Sequence, residues 1–130
     1  MRVTLPIERL KTALNADPEF RIAARYWDGA LQLEIGDEPY LIALTAGEVT
    51  AISHERGRDG EPRRVVITAP VEDWAKLLQD PPPPFYHDFY PAVTWHNFRF
   101  GGDSDYLWSY YAAIRRAGEV LRATANVARD

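Results

Sequence analysis

Apolar positions change their spacing four times along the chain, and each change marks an element. From Pro6, the residues Ile7, Leu10, Ala13 and Leu14 recur every three to four positions, so a short helix is predicted up to Asn15-Ala16-Asp17-Pro18. Asp17 then serves as a cap and Pro18 as the first residue of a second helix, which carries Phe20, Ile22, Ala23, Tyr26 and Trp27 to the break at Asp28-Gly29. After Gly29 the period falls to two. "ALQLEIG" alternates, "PYLIAL" is apolar on both faces and "EVTAIS" alternates again, with short turns at Gly36-Asp37-Glu38 and Ala46-Gly47-Glu48. Three strands joined as antiparallel hairpins are the expectation.

The charged stretch His54 to Arg63 reads as an exposed loop before a fourth strand, Arg63 to Ala69. Pro70 opens a short helix that puts Val71, Trp74, Ala75, Leu77 and Leu78 on one face and points Glu72, Asp73 and Lys76 outward. Four consecutive prolines, Pro81 to Pro84, stop it and favour an extended, stiff connection. Phe85, Tyr86, Phe89 and Tyr90 then follow at helical spacing, which predicts a single turn ending at Pro91. A fifth strand is expected at Trp95 to Phe100, closed by Gly101-Gly102-Asp103. A long final helix is expected from Ser104, burying Leu107, Tyr110 or Tyr111, Ile114, Ala117, Leu121 and Ala125, with Arg115, Arg116, Glu119 and Arg122 mainly outside.

The segments "FRIAARYWDGALQLEIGDEPYLIALTAGEVTAI", "VVITAPVEDWAKLL" and "FRFGGDSDYLWSYYAAIRRAGEVLR" follow one another in an order that resembles the sterol-carrier-protein type-two (SCP2) domain family, from about Phe20 to Arg122. The resemblance implies an α+β fold: a five-stranded, mostly antiparallel sheet, helices packed on one face, and an apolar cavity between the layers. It also implies a ligand of the fatty acyl or sterol kind, held by shape and apolar burial. The chain differs from many members in carrying the proline and aromatic run where they have a glycine-containing segment.

Composition narrows the function classes. The 130 residues fit one domain, 1–130, with 46% hydrophobic and 26% charged residues, near globular averages. A net charge of -4 argues against a broad phosphate-binding surface, so no nucleic acid is expected as partner. With no Cys there is no disulfide framework, thiolate nucleophile or Cys-based metal site. No stretch approaches the roughly 20 apolar residues of a membrane span, and the first residues lack an apolar signal core, so a soluble, unprocessed, cytoplasmic protein is expected.

Candidate chemistry is sparse. His87 adjoins Asp88, but neighbours on a helix point about 100° apart, so the pair reads as solvent-facing rather than as a base and its orienting acid. His96 reads as a hydrogen-bonded structural residue. No His-Glu-x-x-His, paired Glu-x-x-His or acidic calcium loop is present, so no metal is expected, and Gly101-Gly102-Asp103 lacks both the dinucleotide fingerprint and the phosphate loop, so no cofactor is expected. No catalytic residue is assigned.

Two readings of the aromatic run stand side by side: ordinary core, or a rigid aromatic lid on a cavity. The residues assigned to a ligand-lining wall are Trp27, Ile42, Trp74, Phe85, Phe89, Trp95, Trp108 and Tyr111, with Arg116 at the entrance for a ligand carboxylate and surface pairing to Glu119 as its alternative. The partner is thus an apolar or amphipathic small molecule, with a homodimer as a further possibility. Two other functions are kept: a small enzyme or accessory subunit using Tyr86, His87 or Asp88 on a hydrophobic substrate, and a domain whose aromatic segment docks on protein.

Overall fold

The computed structural model describes residues 2–128. In chain order these form β1 (Arg2–Thr4), α1 (Ile7–Ala16), α2 (Pro18–Ala24), β2 (Gly29–Ile35), β3 (Glu38–Thr45), β4 (Glu48–Ser53), β5 (Arg64–Ala69), α3 (Val71–Leu77), α4 (Phe89–Trp95), β6 (Arg99–Gly102), α5 (Ser104–Ser109), α6 (Tyr111–Thr124) and β7 (Asn126–Ala128). The main sheet has five strands in the order β4-β3-β2-β5-β6. β2 to β5 is its one parallel pairing, reached through the 54–63 loop, and the rest are antiparallel. The architecture is α+β with a mixed, mostly antiparallel sheet, as the resemblance implies.

Register explains which side of the sheet the helices cover. Leu31 stands opposite Ile42 and Val65, and Leu33 opposite Tyr40 and Ile67, so one face is a continuous apolar surface. All of these side chains are buried and join Leu10, Leu14, Phe20, Trp74, Ile114 and Leu121 from the helices in one cluster. α1 packs against β4 and α6, and α2 packs against α6. Asp17 caps α2 by accepting a hydrogen bond from the Phe20 amide at 2.8 Å, the role its position before Pro18 predicts.

The structure corrects several sequence expectations. Helical geometry begins at Phe89 rather than ending at Pro91: Asp88 caps α4 by accepting from the Phe89 amide at 2.7 Å, and Pro91 falls in the first turn, where a missing N–H costs nothing. Phe85 and Tyr86 lie in a turn before it, with the Tyr86 amide donating to the Pro83 carbonyl at 3.1 Å. Helix therefore occupies the start of the expected Trp95-to-Phe100 strand, and strand pairing starts only at Arg99, opposite Thr68. The final helix is two helices, broken at Tyr110, whose ring stacks at 5.2 Å on buried Trp27. Trp27 itself lies beyond the last turn of α2. β1 and β7, which pair antiparallel with each other, carried no alternation long enough to register.

Candidate functional site

The proline and aromatic segment is tied down by polar groups from two helices. Asp73, in the first turn of α3, is buried rather than outward-facing as expected. One carboxylate oxygen, Oδ2, accepts from the Tyr86 hydroxyl at 3.0 Å and the Asn97 backbone amide at 3.3 Å, and the Asn97 side-chain amide lies 3.4 Å from both oxygens. One residue of α3 therefore holds both ends of the segment that carries α4. Arg122 of α6, also expected outside, is half-buried: its Nε donates to the Leu77 carbonyl at 2.9 Å and Nη2 to the Tyr86 carbonyl at 3.2 Å. Desolvation holds its pKa below the ordinary guanidinium value. His96 stacks on Tyr86 at 3.8 Å, and its Nε2 lies 3.0 Å from the Pro84 carbonyl.

Between these ties, α4 drives a ring into the interior. Phe89 meets Trp74 edge-on at 5.8 Å and Phe98 at 5.9 Å, and Trp74 meets Phe98 at 5.0 Å. All three rings are fully buried. Trp74 is oriented by its indole N–H, which donates to the Glu34 carbonyl of β2 at 2.9 Å. The far side of Phe89 rests on α6 at Gly118, where a β-carbon would come within 2.9 Å of the ring. Glycine inside a helix is unfavourable by about 1 kcal/mol relative to alanine. Here it makes room for the ring.

Rings of the same stretch that miss the interior lie at its rim, together with Trp108 of α5. Phe85, Tyr90, Trp95 and Trp108 are between 45% and 64% exposed. Phe85 stacks on Trp95 at 5.1 Å, while Tyr90 and Phe100 meet Trp108 at 5.9 and 6.0 Å. Half-buried Tyr111 ties this group to α4 by accepting from the Tyr90 amide at 2.8 Å.

The sequence-assigned wall thus divides. Trp27, Ile42, Trp74 and Phe89 are interior, Phe85, Trp95 and Trp108 are rim, and Tyr111 lies between. Trp74 and Phe89 come together, whereas Trp27 stacks on Tyr110. Arg116 pairs with Asp17 at 2.8 Å and with Glu119 at 3.0 Å. That pairing raises its own pKa, and the guanidinium holds the Asp17 carboxyl below its ordinary value. Arg116 and Arg122 line a cleft of about 430 Å³ with Asp80 and Glu119. Sequence reasoning missed Asp73, Asn97 and Gly118.

Chemically the Asp73–Tyr86 pair is a latch. Burial first, then the Asp73 hydrogen bond and charge, push the Tyr86 phenol up to about 12, so the ring stays protonated and donating at neutral pH. His87 is exposed and Asp88 is engaged as a cap, and neither joins Tyr86 in a proton relay. Among the described residues no three metal-ligating side chains cluster.

No protein-family model matches the chain, and no curated protein matches it. Solved structures do. A crystal structure of sterol carrier protein 2 superposes with a TM-score of 0.69 at 19% identity, covering 90% of this chain and 93% of that one. The solution structure of a conserved hypothetical protein from Thermus thermophilus, described as possibly a sterol carrier protein, gives 0.61 at 19% identity over 88% and 82%. UbiJ-SCP2, a ubiquinone synthesis protein, gives 0.55 at 16% over 85% and 85%. The chain has the SCP2-like fold. Among its described residues, no helix is long and apolar enough to cross a membrane.

Proposed function

We propose that the chain binds an apolar or amphipathic small molecule between the inner face of its sheet and its helices, with the segment from Phe85 to Phe98 as the cover. The observation that carries this reading is the seating of Phe89: one aromatic ring from a short, separately tied helix fills the gap between Trp74, Phe98 and Gly118. The ties are polar and few. Releasing Tyr86 and Asn97 from Asp73 lets α4 withdraw that ring and offers an acyl chain or a fused-ring ligand the aromatic surface it leaves. Burying a few hundred Å² of hydrocarbon at about 25 cal/mol per Å² gains several kcal/mol before ordering costs. The neighbours in fold support the ligand class, since sterol carriage and ubiquinone synthesis both concern molecules of mostly hydrocarbon surface.

In this reading Trp74 and the inner ends of Trp27 and Ile42 form the wall, Phe89 is the ring that withdraws from it and closes over the ligand, and Phe85, Trp95, Trp108 and Tyr111 form the mouth. Arg116 contributes at the polar end, exchanging one of its carboxylate partners for that of an amphipathic ligand. Encapsulation requires no covalent step. The test is native mass spectrometry of protein purified from its host, followed by titration with a pyrene-labelled fatty acid. A retained small molecule or saturable uptake is expected. A bare chain that takes up no probe at any concentration contradicts the reading.

A further inference from the structure

The outer face of the sheet, away from the aromatic segment, holds a buried guanidinium two of whose nitrogens lack a hydrogen-bond acceptor. Arg64 of β5 is 7% exposed, yet its Nε and Nη1 are the buried side-chain nitrogens, among the described residues, that have no hydrogen-bond acceptor. The 54–63 loop covers it: the Gly57 amide donates to Gln32 Oε1 at 2.8 Å, and a β-carbon on Gly57 would sit 2.4 Å from Arg64 Nη1. Glycine at this point lets the loop close over the guanidinium.

Carboxylates surround the site without satisfying it. Glu61 Oε2 is 3.9 Å from Nη1, beyond hydrogen-bond range, while accepting from the Arg58 amide at 3.2 Å. Asp103 is fully engaged with backbone: Oδ2 accepts from the Arg63 amide at 2.9 Å, and Oδ1 from the amides of Asp105 and Tyr106 at 3.1 and 3.2 Å. Those amides hold its carboxyl below the ordinary carboxylate range. Arg64, Asp59, Gly60, Glu61 and Asp103 line an open cleft of about 480 Å³ at the end of β6. A guanidinium removed from water is strongly unfavourable unless acceptors replace the water it lost.

From a guanidinium that lines this cleft with two nitrogens lacking an acceptor, we infer that Arg64 binds a small anion presenting two oxygens, a carboxylate or a phosphate, under the 54–63 loop. Paired oxygens match the fork that Nη1 or Nε makes with Nη2 on one edge of a guanidinium, which ammonium does not reproduce. Glu61 stands close enough to act as a displaceable gate, its charge moving aside when the anion enters. The site lies on the opposite face of the sheet from the proposed apolar ligand, so the inference stands independently of that reading.

The experiment is a titration of the intact, isotope-labelled chain with sodium acetate and, separately, with inorganic phosphate, at ionic strength held constant with chloride. Saturable shifts of the Gly57, Gly60 and Gly102 amides are expected, with half-saturation at about 1 mM. The anion that saturates first identifies the bound group as a carboxylate or a phosphate. Arg64→Lys is expected to weaken binding on the order of tenfold to a hundredfold, the range of a lost charge-assisted hydrogen bond. Glu61→Gln is expected to tighten it by about two- to fivefold, the range of a removed exposed charge. Arg64→Met is expected to fold and to lose the shifts; if it does not fold, the lysine variant decides. The inference is overturned if neither anion saturates in the native chain and in Glu61→Gln, which would mean that Arg64 pairs within the protein, or if Arg64→Lys binds as tightly as the native chain.

Discussion

Phe89 and Trp95 belong to the same seven-residue helix, yet the first is fully buried between α3 and α6 and the second is 64% exposed, stacked on Phe85 at the rim. Their neighbourhoods decide the difference. Phe89 follows the capping residue Asp88, between the ties at Tyr86 and Asn97, and meets a glycine where any other residue would collide with it. Trp95 ends the helix, where nothing on the inner face reaches it. The inner rings hold structure and cover the proposed ligand, whereas the outer rings leave an aromatic surface in water. An exposed ring of this kind contributes little to stability, because it removes little area from water on folding.

Several substitutions break or sharpen this contrast. The largest effect is expected for Phe89→Ala, which empties the space between Trp74, Phe98 and Gly118 and costs about 3–5 kcal/mol in denaturant unfolding. A loss below about 1 kcal/mol would mean the ring is not the interior plug described. Asp73→Ala follows, at about 2–3 kcal/mol, because the Tyr86 hydroxyl and the Asn97 amide both lose a charged acceptor. Amide exchange in α4 is expected to speed up with it. Unchanged exchange there would show that Asp73 does not tie the segment.

Tyr86→Phe tests the same tie through pH. The folded phenol titrates near 12, above the ordinary value near 10 of an unfolded chain, so its contribution is fully present below pH 10 and is lost as pH rises from 10 through 12. The native chain should lose stability across that window, and the phenylalanine variant should show a shallower loss. Some slope remains, since burial also raises the Tyr110 and Tyr111 phenols. Identical slopes in both proteins would remove the Asp73–Tyr86 latch. Gly118→Ala is expected to be destabilising by about 1 kcal/mol, the crowding of Phe89 outweighing the gain in helix propensity. The smallest effect is at the rim: Trp95→Ala should change stability by no more than about 0.5 kcal/mol.

The order of strands and helices was legible because hairpin turns and period changes are local signals, and the apolar face of the sheet was legible from the alternation in β2 and β4, β3 being apolar on both faces. What the local pattern could not weigh was tertiary partnership. Asp73 follows Glu72 in an acidic first turn and reads as solvated, although Leu77, one turn later on the same side of the helix, belongs to the buried stripe. Arg122 likewise follows Gly118 by one turn, and the burial of Gly118 places Arg122 at the core's edge. In the aromatic run, only Phe89 and Tyr90 of the four rings expected on one turn are helical, because Asp88 caps the helix after Phe85 and Tyr86 and outweighs the proline as a stop signal. β1 and β7 are each three residues long, too short for period two to stand out. Nothing in the sequence separates interior from rim among six large rings within fourteen residues, from Phe85 to Phe98.

The most direct test of the account follows backbone and indole N–H resonances while a pyrene-labelled fatty acid is added to the intact chain. Saturable shifts are expected, concentrated at the Trp74 indole, Phe89, Phe98 and Gly118, the rings and helix that enclose the interior. Shifts confined to Phe85, Trp95 and Trp108, with the Trp74 indole unmoved at saturation, would place the ligand on the surface and contradict it.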